Sequence, residues 1–242
     1  MKRLSLFIYI LSSVNIFAGH PLKTDDAAAL GNDFFQIELL SDFHFEAANR
    51  AMDVPLAFSY GLSQNSDLVF SLPLNNPSHN YFNGMDMQDI SVELKYIFIQ
   101  EQVLNFGLKP VVSFPTGNCL EGNGTGKIGT GLTAISSLML NGYNIHFNAG
   151  YYYNNNNLDE RFNLFYFSTA AEIYVSEKFN LVMGTGIENN SSKYDENYPF
   201  YFIGGFVYNF SEAIAFDVGL EKGFDGGESK TSLLTGLTIL IN

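Results

Sequence analysis

Period-two alternation, a recurring strand–turn–strand unit and connections that alternate in length predict an all-β chain. The fold class they predict is an antiparallel transmembrane β-barrel of about twelve strands, with short periplasmic turns and longer extracellular loops. The clearest unit runs from Met87 to Val112. Asp89, Ser91, Glu93 and Lys95 fall on one face, and Ile90, Val92, Leu94, Tyr96 and Phe98 on the other. After Gln100-Glu101-Gln102 the alternation resumes, with Leu104, Phe106, Leu108, Pro110 and Val112 opposing Asn105, Gly107, Lys109 and Ser113. Successive side chains of a strand point to opposite faces, so each segment has one apolar and one polar side.

The chain opens Met1-Lys2-Arg3, continues through an apolar run from Leu4 to Leu11, and reaches small residues at Ala18-Gly19. This reads as a secretory signal peptide over 1–18, cleaved after Ala18. The run is too short and interrupted for a membrane anchor. No later apolar stretch approaches the roughly 20 residues of a spanning helix, so any membrane crossing falls to strands. Residues 19–33 are expected as an N-terminal periplasmic segment and 34–242 as the barrel.

Within the barrel, Gln36, Glu38, Asp42 and His44 oppose Phe35, Ile37, Leu39, Phe43 and Phe45. A short connection, 46–51, leads to a strand carrying Val54, Leu56, Phe58, Tyr60 and Leu62. Ser63-Gln64-Asn65-Ser66 turns the chain into Leu68, Phe70 and Leu72, and a polar loop over 75–86 precedes the Met87–Val112 hairpin. The Gly-rich stretch 115–126 feeds a strand over 127–140. Asn141-Gly142 is a strong hairpin signal, and beyond it Tyr143, Ile145, Phe147, Ala149 and Tyr151 oppose Asn144, His146, Asn148 and Gly150. Two further hairpins turn at Ser176-Glu177-Lys178 and Ser211-Glu212. Loops are expected at 154–161, 189–198 and 225–230, and a strand over 231–241 ends the chain.

Apolar faces are large and aromatic, while the opposite faces carry Asp, Glu, Ser, Asn, Gly and Lys. In lipid every backbone polar group must be paired within the protein, which a closed barrel achieves. Apolar residues therefore face outward and polar ones line the lumen. A secreted all-β protein is the competing reading.

The formal charge of −13 argues against nucleic acid as a partner. The single cysteine, Cys119, excludes an internal disulfide framework and a Cys-based metal cluster. Gly124-Thr125-Gly126-Lys127-Ile128-Gly129 fits G-x-G-x-x-G. It leads into a strand rather than a helix, so it reads as a loop and not a dinucleotide site. Asp25 and Asp26 supply too few ligands for a cation and read as a cap or turn. The histidines His20, His44, His79 and His146 show no close His/Ser or His/Asp constellation. No catalytic residue, metal or cofactor is expected, and the chain is not read as an enzyme.

Pro21-Leu22-Lys23-Thr24-Asp25-Asp26-Ala27, Gly31 and the strand Phe35-Gln36-Ile37-Glu38 resemble the opening signature of the MetA-pathway phenol-degradation family. Phe114-Pro115-Thr116-Gly117-Asn118, with Gly124-Thr125-Gly126-Lys127 before a strand, resembles a second motif of that family. His20 stands where the resemblance leads one to expect Arg. The resemblance implies a bacterial outer-membrane barrel that admits hydrophobic compounds.

By parity the candidate lumen-lining residues are Gln36, Glu38, Asp42, His44, Glu93, Lys95, Lys109, His146, Glu172, Asp217 and Glu221, with Asp89, Lys127 and Glu188 on the same side. Centring the Gln100–Gln102 turn on Glu101 places Glu93 opposite Lys109. Two functions stay open: a passive channel for small solutes through an acidic lumen, or a closed structural or surface-interaction barrel. The expected partners are outer-membrane lipid and an unnamed small molecule.

Overall fold

The computed structural model describes residues 19–45, 50–76 and 84–242. The expected signal peptide, His79 and parts of the expected connections 46–51 and 75–86 lie outside the described residues. Twelve long strands form the wall: β1 (Phe35–Phe45), β2 (Arg50–Ser63), β3 (Ser66–Asn76), β4 (Ile90–Gln100), β5 (Leu104–Phe114), β6 (Gly129–Leu140), β7 (Tyr143–Tyr153), β8 (Asn163–Tyr174), β9 (Phe179–Glu188), β10 (Phe200–Asn209), β11 (Ile214–Asp225) and β12 (Glu228–Ile241). Each pairs antiparallel with its neighbour in sequence. β1 also pairs with β12, from Phe35↔Ile241 to Phe45↔Thr231. The meander therefore closes on itself, and among the described residues no long strand is left with an unpaired edge. A two-residue strand, Asp86–Met87, adds to β3 outside the ring.

The period-two pattern is realised in space. Leu94, Phe147, Phe167 and Phe202 are exposed on the outer surface, whereas Asp217, Ser232 and Thr238 have no exposed surface. On the outside, aromatic rings meet across strands, as in the Phe98–Phe106 and Phe200–Phe224 pairs.

The ends of the barrel differ. β2–β3, β4–β5, β6–β7, β8–β9 and β10–β11 are joined by short turns at one end. At the other, loops 154–162 and 189–199 are tied together by Arg161. Its Nε donates to the Asn190 carbonyl at 3.1 Å, and its Nη2 to the carbonyls of Ser192 and Asp195 at 3.3 and 3.0 Å. Asp89, expected on the lumen face, sits just before β4 and pins the Gly-rich loop. It accepts from the Gly117 and Thr125 amides at 3.0 and 2.8 Å. Lys127, expected inside, is exposed in that loop.

Two local expectations are corrected. The long loop expected over 225–230 is a two-residue turn, with Asp225 opposite Glu228. Gly226 and Gly227 both take positive φ (54° and 97°), the twist that lets a two-residue hairpin close. Glu93 lies opposite Val111 rather than Lys109. The reason is that the β4–β5 turn spans 101–103 and a bulge follows between Ile97 and Ile99.

Candidate functional site

Residues 19–33, expected as a periplasmic segment ahead of the barrel, lie inside it. From Asp33, whose amide donates to the Gly61 carbonyl at 3.0 Å, the segment can be followed backwards around the inner wall. The Leu30 amide donates to the Asp67 carboxylate of β3 at 3.0 Å, and the Ala27 amide to Ser137 Oγ of β6 at 2.7 Å. Asp26 pairs with Lys95 at 2.6 Å, and Asp25 with Lys109 at 2.5 Å. The Asn148 side chain holds the Asp25 backbone from both sides, accepting from its amide at 2.7 Å and donating to its carbonyl at 2.9 Å. Asp25 and Asp26 are thus charged anchors, and Asp26 also makes the expected turn, accepting from the Ala28 amide at 3.1 Å.

Further back the contacts become apolar. Leu22 is buried with Ala170, Val182, Ile203, Val207, Ala215 and Leu234, side chains of β8 to β12. Ala27 packs with Ile97 and Ile135 in a second cluster. The interior is therefore not polar throughout: β8 to β12 turn an apolar patch inward where Leu22 seats. Glycines make room for the segment. A Cβ on Gly219 would lie 2.7 Å from Pro21 Cβ, and one on Gly184 3.2 Å from Leu22 Cδ2.

His20 ends the path between two carboxylates. Its Nδ1 bonds Asp217, and its Nε2 lies 3.2 Å from Asp42 Oδ1. Donation from both nitrogens requires the imidazolium. Burial opposes that charge, but the two carboxylates outweigh it and raise the His20 pKa to about 9.

The remaining candidate residues fall along the same wall. Glu93 reaches Lys109 diagonally at 2.8 Å, so Lys109 bridges Glu93 and Asp25. Gln36 is buried, and with Glu38 it borders a cavity of about 220 Å³ between the segment and β1–β5. Glu221 pairs with Lys23 at 2.7 Å. Glu172 accepts from the Tyr174 hydroxyl at 3.2 Å and lies 3.9 Å from His146 Nε2.

Two constellations that sequence reasoning missed join residues of separate strands. His44 bonds Ser232 Oγ through Nδ1 and Asp53 Oδ2 through Nε2, both at 2.8 Å. His146 Nδ1 lies 2.7 Å from Ser137 Oγ. Both resemble an activated serine in their order of groups, but Ser232 and Ser137 are sealed within the wall, where no substrate carbonyl reaches either oxygen. Ser137 is instead occupied in holding the Ala27 amide. The Asn141-Gly142 turn, followed back along its hairpin, sets Ser137 opposite His146, whereas His44 and Ser232 meet only across the β1–β12 seam. Among the described residues, no group of three His, Cys, Asp or Glu is placed to hold a metal ion.

Above the segment, at the long-loop end, a cavity of about 1040 Å³ opens between β7 and β12. Its inner wall carries Tyr152, Tyr166, Tyr201, Glu188 and Glu221, and Lys23 rises from the segment into it.

The model of the family described as "Putative MetA-pathway of phenol degradation" matches residues 31–241. The chain belongs to this family. No curated protein matches it in sequence. In three dimensions the family member is similar to the COG4313 outer membrane channel from Pseudomonas putida F1, at 14% identity and TM-score 0.68, covering 89% of this chain and 98% of that one. It is also similar to the KdgM porin, at 9% identity and TM-score 0.57 over 84% and 98% of the two chains. A third similarity is to the CymD monoaromatic hydrocarbon channel, at 10% identity and TM-score 0.52 over 86% and 88%. At such identities the likeness is one of fold: a closed antiparallel barrel of the outer-membrane type.

Proposed function

We propose that this family member is an outer-membrane channel that passes small solutes, aromatic ones among them, through an acidic lumen whose bore is set by residues 19–33. The observation that carries the reading is the sorting of side chains across one wall. Large apolar residues cover the outside, while carboxylates, lysines and open volume lie within. Lipid suits the first face and water the second. The similar folds named as channels and the family description support it.

Carboxylates outnumber lysines along the lumen, so the field inside favours cations and neutral solutes over anions. Full-length protein in planar bilayers should conduct with cation preference, and Glu93→Gln should weaken that preference. Strict anion selectivity would remove the acidic-lumen reading.

A second reading, a closed barrel without transport, is favoured by the density of bonds between the segment and the wall. Liposome swelling with sugars of graded size separates the two, because only a channel admits them.

A further inference from the structure

The outer cavity has a construction that the passage alone does not require. Three cross-strand pairs along its wall, on β6–β7, β7–β8 and β9–β10, join a glycine to a tyrosine: Gly131↔Tyr152, Gly150↔Tyr166 and Gly186↔Tyr201. In each, the ring lies on the glycine where a Cβ would collide with it; for Gly186 the Tyr201 hydroxyl oxygen would be 2.6 Å away. Each ring is thereby laid along the wall, leaving a face toward the lumen. The Tyr166 hydroxyl holds its ring there, bonding Thr133 Oγ1 at 2.6 Å.

One of these faces is already occupied. The Lys23 ammonium sits 4.8 Å from the Tyr201 ring centroid and 2.7 Å from Glu221 Oε2. The Glu221 carboxylate is buried, whereas the Lys23 side chain is 46% exposed toward the cavity. A ring face and a desolvated carboxylate meeting at one point form a site for an ammonium group. Here the chain fills that site with its own. Glu188, also in the cavity wall, adds a second carboxylate beside it.

We propose that this vestibule binds primary arylalkylammonium solutes, with the Lys23 side chain as a tethered stand-in for the ligand. The ammonium of the solute takes the Tyr201–Glu221 position and its ring stacks on Tyr166 or Tyr152. An anion entering the same cavity would meet Glu188 and Glu221. A neutral aromatic finds the rings but leaves the carboxylates without a new partner. Because Lys23 belongs to the segment that fills the lumen, a solute that displaces it also removes one of that segment's anchors. The proposal rests on the channel reading only for the side from which ligand arrives.

The test is calorimetric titration of the full chain in detergent with phenethylammonium, 2-phenylethanol and 3-phenylpropionate. Lys23→Met frees the site and should tighten phenethylammonium binding by about tenfold or more. Tyr201→Leu in the otherwise unaltered protein should weaken it by about fivefold or more. Heat-modifiable migration on a gel confirms that each variant is folded; if Lys23→Met is not, the Tyr201→Leu result decides alone. Equal affinity in the parent and a folded Lys23→Met protein, no change in Tyr201→Leu, or equal binding of the alcohol would each overturn the site. Ammonium binding by a protein that conducts nothing supports the site and removes the channel reading. Conductance without ammonium binding overturns the site alone.

Discussion

The N-terminal segment is held by two halves of the wall in different ways. Along β3 to β7 it is fastened by charge and hydrogen bonds: Asp67, Lys95, Lys109, Ser137 and Asn148 each take one of its polar groups. Along β8 to β12 it is seated by shape. Leu22 fills an apolar patch and Pro21 lies against Gly219, with His20 closing the path on Asp217 and Asp42. The first half depends on pairing buried charge, the second on packing, on His20 and on the Lys23–Glu221 pair. They therefore fail under different perturbations. Tryptic cleavage after Lys23 reports release of the segment whether or not the barrel conducts.

The largest effect should come from the charged half. Lys95→Met leaves Asp26 unpaired in a site where both side chains are at most 14% exposed. A stranded buried carboxylate of this kind costs about 3 kcal/mol. Cleavage after Lys23 should become rapid, while the wall stays intact on a gel.

The seated half should give somewhat less. Leu22→Ala removes the centre of the apolar cluster and costs about 2 to 3 kcal/mol if the site collapses poorly. Its effect should be insensitive to salt.

pH should act on the seated half at its end. The folded His20 pKa is raised to about 9 against an unperturbed value near 6.5. Its contribution is therefore fully present below about pH 6.5 and is lost as pH rises through about 9. Cleavage after Lys23, normalised to trypsin activity, should accelerate across that interval. His20→Arg keeps a cation between Asp217 and Asp42 and should flatten the dependence.

The smallest effect lies outside the comparison. Lys193 pairs with Asp159 at 2.5 Å on the loop surface, and that cation holds the Asp159 carboxyl below its usual range. Lys193→Ala should leave thermal unfolding unchanged within measurement, because exposed pairs of this kind contribute little.

Much of the wall was legible in the chain. Alternation assigns Leu94 and Phe147 to one face and Glu93 and Asp217 to the other, and the Asn141-Gly142 turn is where the sequence places it. Alternation is local, needing only the pleat of one strand. Register is less so: the Glu93–Lys109 pair forms, but diagonally, since a bulge and a displaced turn are not written in hydropathy. The Asp225–Glu228 turn was missed because Gly226-Gly227 lies among polar residues that equally describe a loop.

Residue type and a two-residue period are enough to fix the strands and their two faces. That residues 19–33 turn back into the barrel is settled by contacts between distant parts of the chain. Closing twelve strands brings Asp67, Lys109, Ala170 and Asp217, far apart along the chain, onto one inner surface, and that surface exists only once β1 meets β12. The same closure brings Ser232 to His44, while each of the three glycine–tyrosine pairs joins strands adjacent in the sequence. These are relations between strands, and no single strand carries them.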